Sequence, residues 1–153
     1  LSGERTPHND SKIRGAFLNI DIATSRNDLT QAIMEGVSFA LRDNLEVLNS
    51  TGTTLKRALV IGGGSQSFFW LELLATVLNL PLDIPEKSEF GAAFGAARLA
   101  MAGISDVSLN TIMTKPKIEK TIYPSPGLIE CYKTAYDRYR EAYPILKNIK
   151  TLG

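Results

Sequence analysis

The stretch Val60–Trp70 reads "VIGGGSQSFFW". A β-branched run ends in three glycines, and the chain then opens into an aromatic segment of helical character. The run "RALVIG" (57–62) is apolar nearly throughout, which predicts a central, parallel strand. In open α/β sheets, ligands bind at the carboxyl end of such strands. A helix starting there offers unpaired N–H groups and a positive dipole end to phosphate or ribose oxygens. Glycine lets the main chain approach a ligand without a Cβ in the way and permits positive φ. Gly62, Gly63 and Gly64 therefore fit a nucleotide-contact turn, although a tight strand-to-helix turn without ligand accounts for the same triplet. Two familiar alternatives fail on spacing. G-x-G-x-x-G would need glycine where Ser67 stands, and the P-loop's G-K-[ST] is absent.

Working outward, a helix is predicted from Ser67 to Asn79, then a short strand "PLDI" (81–84). Ser88 caps a further helix, "EFGAAFGAARLAMA" (89–102), which stops at Gly103. Gly91, Ala92, Gly95, Ala96 and Ala100 give that helix a face of small residues. Such a face serves close helix packing, or makes room for a flat base beside the glycine turn. Upstream, "GAFLNI" (15–20) alternates like a strand, and "TSRND" (24–28) is a turn. Asp28 with Gln31 makes a capping-box-like start. Leu29, Ile33, Val37, Ala40, Leu41, Leu45 and Leu48 then recur at three- and four-residue steps, the pattern of an amphipathic helix of about six turns.

Strand, helix, strand, helix, strand, helix is the order of an α/β sheet with crossover helices. After Gly103 a polar connection, with "KPKIEK" (115–120) as a solvated loop, leads to "YPSPG" (123–127). A last helix runs from Ser125 and Pro126 to about Leu146. Its Tyr132, Tyr136, Tyr139 and Tyr143 share one side, which reads as packing against the body.

Composition narrows the classes. The 153 residues carry a formal net charge of +1, with no excess of basic residues to attract nucleic acid or an anionic membrane. The longest apolar run, "FFWLELLATVLNLPL", is broken by Glu72 and Asn79 and is too short for a membrane span. One cysteine, Cys131, permits no intrachain disulfide and argues for a reducing, cytoplasmic setting. One cysteine and one histidine, His8, argue against a zinc site. The opening "LSGERTPHND" has no Met and starts in loop chemistry, as a fragment of a longer chain would.

Taken together, "LSGERTPHND", "RGAFLNI", "DLTQAIMEGVSFALRDNLE", "LVIGGGSQSFFW" and "FGAAFGAARLA" resemble the C-terminal part of the FGGY carbohydrate kinases. The likeness is strong from Leu1 to about Gly103 and weaker through the tyrosine-bearing helix. "GERTPHND" is its most subfamily-specific piece. Where the family's first strand has glycine, this chain has Asn19.

The resemblance implies an actin-like, ribonuclease-H-like ATPase domain whose first strands lie outside this chain. It divides the chain into residues 1–103, the ATP-binding domain, and 104–153, a connecting loop and helix packed on it. It further implies that ATP with Mg²⁺ phosphorylates a sugar hydroxyl. By the same likeness Gly62, Gly63 and Gly64 contact the adenosine, Ser65 and Ser67 reach ribose or phosphate, and Gly91, Ala92 and Gly95 back the adenine pocket, with "TSRND" near the base. Phosphoryl transfer also needs a base, phosphate donors and metal-organising carboxylates. In the family these lie upstream, with the sugar pocket, in an N-terminal domain missing here. No motif marks Asp10, Asp21, Asp28 or Asp43 as a base, so the segment alone is expected to be inactive and to pair with the missing part or self-associate, as a homodimer for example. Two readings outside catalysis stay open: a non-catalytic actin-like nucleotide module, and an interaction domain whose glycines only make a turn.

Overall fold

The computed structural model describes residues 3–86 and 91–149. Helix α1 (Arg26–Ser50) leads to strand β1 (Ala58–Leu59), a 3-10 turn (Gly63–Gln66) and α2 (Phe68–Leu78). Then come β2 (Leu82–Pro85), α3 (Gly91–Ile104), the short α4 (Leu109–Ile112), β3 (Ile118–Ile122) and, after a 3-10 turn, α5 (Ile129–Lys147). The sheet order is β1-β2-β3, with β1 parallel and β3 antiparallel to β2.

Helix α2 is apolar on two faces because it is covered on two, and Glu72 stands exposed between them. Leu71 and Ala75 pack on Leu82 and Ile122 of the sheet. Leu73 and Val77 pack on Phe39 of α1 and Tyr136 of α5. A helix with two apolar faces belongs between layers. Its ends follow the sequence: Ser67 caps the start by accepting from Trp70 N, and Asn79 takes the left-handed conformation at the end.

Five expectations are corrected. The α1 cap is Ser25, in a capping box with Asp28 as its third helical residue, so the helix begins three residues earlier than predicted. The face that α1 buries is not the predicted stripe. Ser38, Phe39 and Asp43 are buried, whereas Ile33, Val37, Leu41 and Leu48 stay 42–55% exposed. The buried polar groups are admitted because each has a partner: Trp70 Nε1 donates to Ser38 Oγ, and Tyr136 Oη to Asp43 Oδ1.

"GAFLNI" forms no strand among the described residues. Phe17, Leu18 and Ile20 are about half exposed with no neighbouring strand, and alternation cannot supply the ladder that a strand requires. Asn19 stands there at φ +57°, so asparagine, which tolerates the left-handed region, occupies the family's glycine position. Finally, β1 is an edge rather than a central strand among the described residues, and the predicted loop "KPKIEK" ends inside β3. Ser88, the predicted cap of α3, lies outside the described residues.

The tyrosine stripe packs as expected. Tyr132 donates to Glu35, Tyr136 to Asp43 and Tyr143 to Asp10. His8 stacks on Tyr143 with ring centroids 3.5 Å apart, which fastens the "GERTPHND" loop to the end of α5.

A candidate nucleotide site at the glycine turn

The turn after β1 is made by its own hydrogen bonds. Gly62 has φ +88°, a conformation that side-chain-bearing residues rarely adopt, so this position requires glycine. Its carbonyl accepts from Ser65 N at 3.1 Å and from Ser65 Oγ at 2.7 Å. Ser65 is thereby buried within the turn, with its hydroxyl on the backbone. Ser67 is half-buried, and its hydroxyl oxygen caps α2.

The remaining glycines divide by what an added Cβ would meet. At Gly91 it would lie 2.6 Å from Cβ of Ile61, so bare backbone is what lets the start of α3 press against the residue preceding the turn. At Gly64 it would lie 3.1 Å from Cζ3 of Trp70. At Gly63 and Gly95 it would meet nothing within 4 Å. Gly91 and Gly64 are spaces filled by the fold, whereas Gly63 and Gly95 face open space. Ala92, at the start of α3, is exposed. The Ile61–Gly91 contact thus brings the start of α3 against the residue that precedes the turn.

The "TSRND" turn reaches this end of the molecule through α1. Ser38 meets Trp70, and farther along Arg42 Nη1 donates to Val77 O, so α1 and α2 run in the same direction. At about 1.5 Å per residue, Arg26 projects roughly 15 Å past the start of α2. The first turns of α1 therefore rise past the level of the glycine turn. The "GERTPHND" loop is at the other end: Pro7 shares a cleft of about 210 Å³ with Glu46, Val47 and Ser50, late in α1.

Charged groups near the sheet are engaged in structure. On the face away from α2, Arg57 pairs with Asp83, which also accepts from Thr121 Oγ1 at 2.6 Å. The Arg57 guanidinium, helped by that hydroxyl, holds the Asp83 carboxyl below its usual range. Asp21 accepts from Ala23 N and Thr24 Oγ1, and Asp28 from Ser25. Asp10 accepts from Lys12 N and Tyr143, and Asp43 from Tyr136. Each of the four aspartates therefore has a turn, cap or core role. Among the described residues no three His, Cys, Asp or Glu gather where they could hold a metal ion.

Three features escaped the sequence reading: Ile61 as the stop for α3, Trp70 as the bridge from Gly64 to α1, and the β3 register. An indole three residues past a capping serine was a signal for the second. Nothing local signalled the others.

An α/β layer with a bare turn at the carboxyl end of a parallel strand, and a small-residue helix started against it, belongs to an actin-like ATPase fold. Residues 1–104 match the family described as "FGGY family of carbohydrate kinases, C-terminal domain". The chain belongs to the FGGY family of carbohydrate kinases. It is 35% identical over 153 residues to a xylulose kinase of Bacillus subtilis (strain 168), covering 99% of this chain and 30% of that protein. Its fold superposes on a xyloylose kinase from Brucella ovis with TM-score 0.86 at 48% identity, covering 97% of this chain and 31% of that one. It also superposes on a gluconate kinase from Lactobacillus acidophilus, with TM-score 0.72 at 27% identity over 96% of this chain and 30% of that one. The chain thus spans about 30% of the length of these relatives. No described helix is long and apolar enough to cross a membrane.

Proposed function

We propose that this chain is the nucleotide-binding part of a kinase that transfers the γ-phosphoryl group of ATP to the 5-hydroxyl of D-xylulose, giving xylulose 5-phosphate. The observation that carries the nucleotide assignment is the open backbone at Gly63, in a turn against whose preceding residue, Ile61, the start of α3 is pressed at Gly91. Ligand atoms can take up the space that a side chain would fill. Gly62, Gly63, Gly64 and Ser67 then line the nucleoside on the sheet side, and Ala92 and Gly95 on the α3 side. Ser65 acts from within, holding the turn through the Gly62 carbonyl.

When bound, ATP supplies the phosphoryl group, and Mg²⁺ belongs with its phosphates rather than in a protein cage of these residues. The base and the sugar pocket are assigned to polypeptide outside this segment. That assignment fits the structural roles of Asp10, Asp21, Asp28 and Asp43. Residues 1–103 and 104–153 are read as one domain, since β3 pairs with β2 and α5 packs on α1 and α2. The exposed stripe on α1 supports pairing or self-association of the isolated segment.

Xylulose as acceptor is supported by the relatives' printed activity. A gluconate kinase of the same fold favours a second reading, gluconate, and glycerol and ribulose stay within the family's range. The test is calorimetric titration of ADP into the complete polypeptide containing this chain, beside Gly63→Val, followed by turnover on the four acceptors. Gly63→Val should keep the wild-type melting curve, because its side chain enters open space, and should lose ADP. Unchanged ADP affinity would move the site elsewhere, and faster turnover on gluconate than on D-xylulose would replace the acceptor.

A further inference from the structure

We propose that Phe68 is a stacking platform for the base of the bound nucleotide and that Lys120 holds its ring in place. This assignment rests on the nucleotide reading above and extends it to residues on two other elements. Phe68 is the first residue of α2, directly after the glycine turn and its capping serine. It belongs to neither buried core cluster and is 45% exposed.

The ring nevertheless has a fixed partner. Lys120 Nζ lies 3.7 Å from its centroid, within the range of a cation–π contact. Lys120 is on β3, paired with Ile84 near the carboxyl end of β2. It is two residues from Ile122, which packs against α2, so its side chain leaves the sheet on the α2 face. The contact therefore holds the Phe68 ring at the carboxyl end of β2, the end of the sheet at which the glycine turn follows β1.

An ammonium on one face of a ring draws π density toward itself. The opposite face becomes less negative and better suited to an electron-rich purine. Stacking of this kind adds affinity while reading little of the base's identity, because every base has a π-face. Phe68 should thus favour ADP and GDP alike. Lys120 is a positioning residue in this arrangement, acting through the ring.

The experiment is titration of ADP, GDP and inorganic pyrophosphate into the complete polypeptide, for wild type, Phe68→Leu, Phe68→Tyr, Lys120→Gln and Gly63→Val, each with a thermal melt. Phe68→Leu keeps an apolar side chain beneath Lys120 and removes the flat ring. It should weaken ADP and GDP by a similar factor, roughly 5- to 140-fold from the usual worth of base stacking, and leave pyrophosphate unchanged. Phe68→Tyr should restore affinity. Lys120→Gln should weaken the two nucleotides by a smaller factor and spare pyrophosphate.

Wild-type affinity in Phe68→Leu, with loss in Gly63→Val, would overturn the platform and leave the nucleotide site standing. Wild-type affinity in both, or no binding by the wild type, would overturn both. Loss in Phe68→Tyr as well, or a lowered melt, would make the residue structural and overturn the assignment. Loss of pyrophosphate in Lys120→Gln would make the lysine a phosphate contact and overturn its role as ring holder.

Discussion

The indole N–H of Trp70 donates to the hydroxyl of Ser38 across 3.1 Å, while the same ring bounds the space beside Gly64. One side chain therefore ties the glycine turn to α1, whose first turns rise past it. Ser38 is fully buried and also donates to Met34 O, so its hydroxyl is used in both directions.

Ser38→Ala should leave the indole N–H unpaired in the interior, which costs about 1–3 kcal/mol. Urea denaturation should report a loss in that range with an unchanged m-value. A stability equal to wild type would mean that the bond carries no net weight.

Gly91→Ala should be more damaging than an exposed helical Gly→Ala, which ordinarily stabilises. The new Cβ would lie 2.6 Å from Cβ of Ile61 and 2.7 Å from its Cδ1. Overpacking of this kind costs about 1–3 kcal/mol. Ile61→Ala removes Cδ1 and keeps the Cβ, so the double variant should recover only part of the loss. ADP affinity should fall with Gly91→Ala, because α3 must move off the turn. Full recovery in the double variant would show that Cδ1, not the backbone approach, sets the spacing.

Ser25→Ala removes the cap of a helix whose first turns reach the candidate site. One half of the capping box depends on its hydroxyl, since Asp28 N donates to Ser25 Oγ, whereas the backbone N–H of residue 25 still donates to Asp28 Oδ2 in the alanine variant. The loss should be about 1 kcal/mol. Hydrogen exchange should quicken at residues 26–30 and stay unchanged in α2. Exchange that quickens equally in both would mean that the cap stabilises the whole fold instead of the projecting turns.

The Arg57–Asp83 pair predicts an acid-sensitive share of stability. The Asp83 carboxyl is held below its ordinary 3.8, first by its hydrogen bond from Arg57 and then by Thr121. A group with a depressed folded pKa contributes fully above its unfolded value and loses that contribution as pH falls through the folded value. Asp83→Asn should therefore be less stable than wild type at pH 7, and the gap should close below pH 3.8. A gap that persists unchanged at pH 2 would assign the loss to packing, not to charge.

Local chemistry made α2, β2 and the glycine turn legible in the sequence. A β-branched run, a glycine forced to positive φ, a serine cap and a left-handed asparagine act within a few residues of one another. The family could be read for the same reason, since its motifs are contiguous. The tertiary structure alone decided which face of α1 is buried. The apolar stripe Ile33, Val37, Leu41 and Leu48 was the stronger sequence signal, yet the face that packs carries Ser38 and Asp43, because Trp70 and Tyr136 satisfy them from elements 32 and 93 residues away. The tertiary structure likewise sorted the glycines: Gly91 meets Ile61 and Gly63 meets open space. A glycine's letter is the same in both places, and only the atoms around it distinguish a contact made by the fold from an open position.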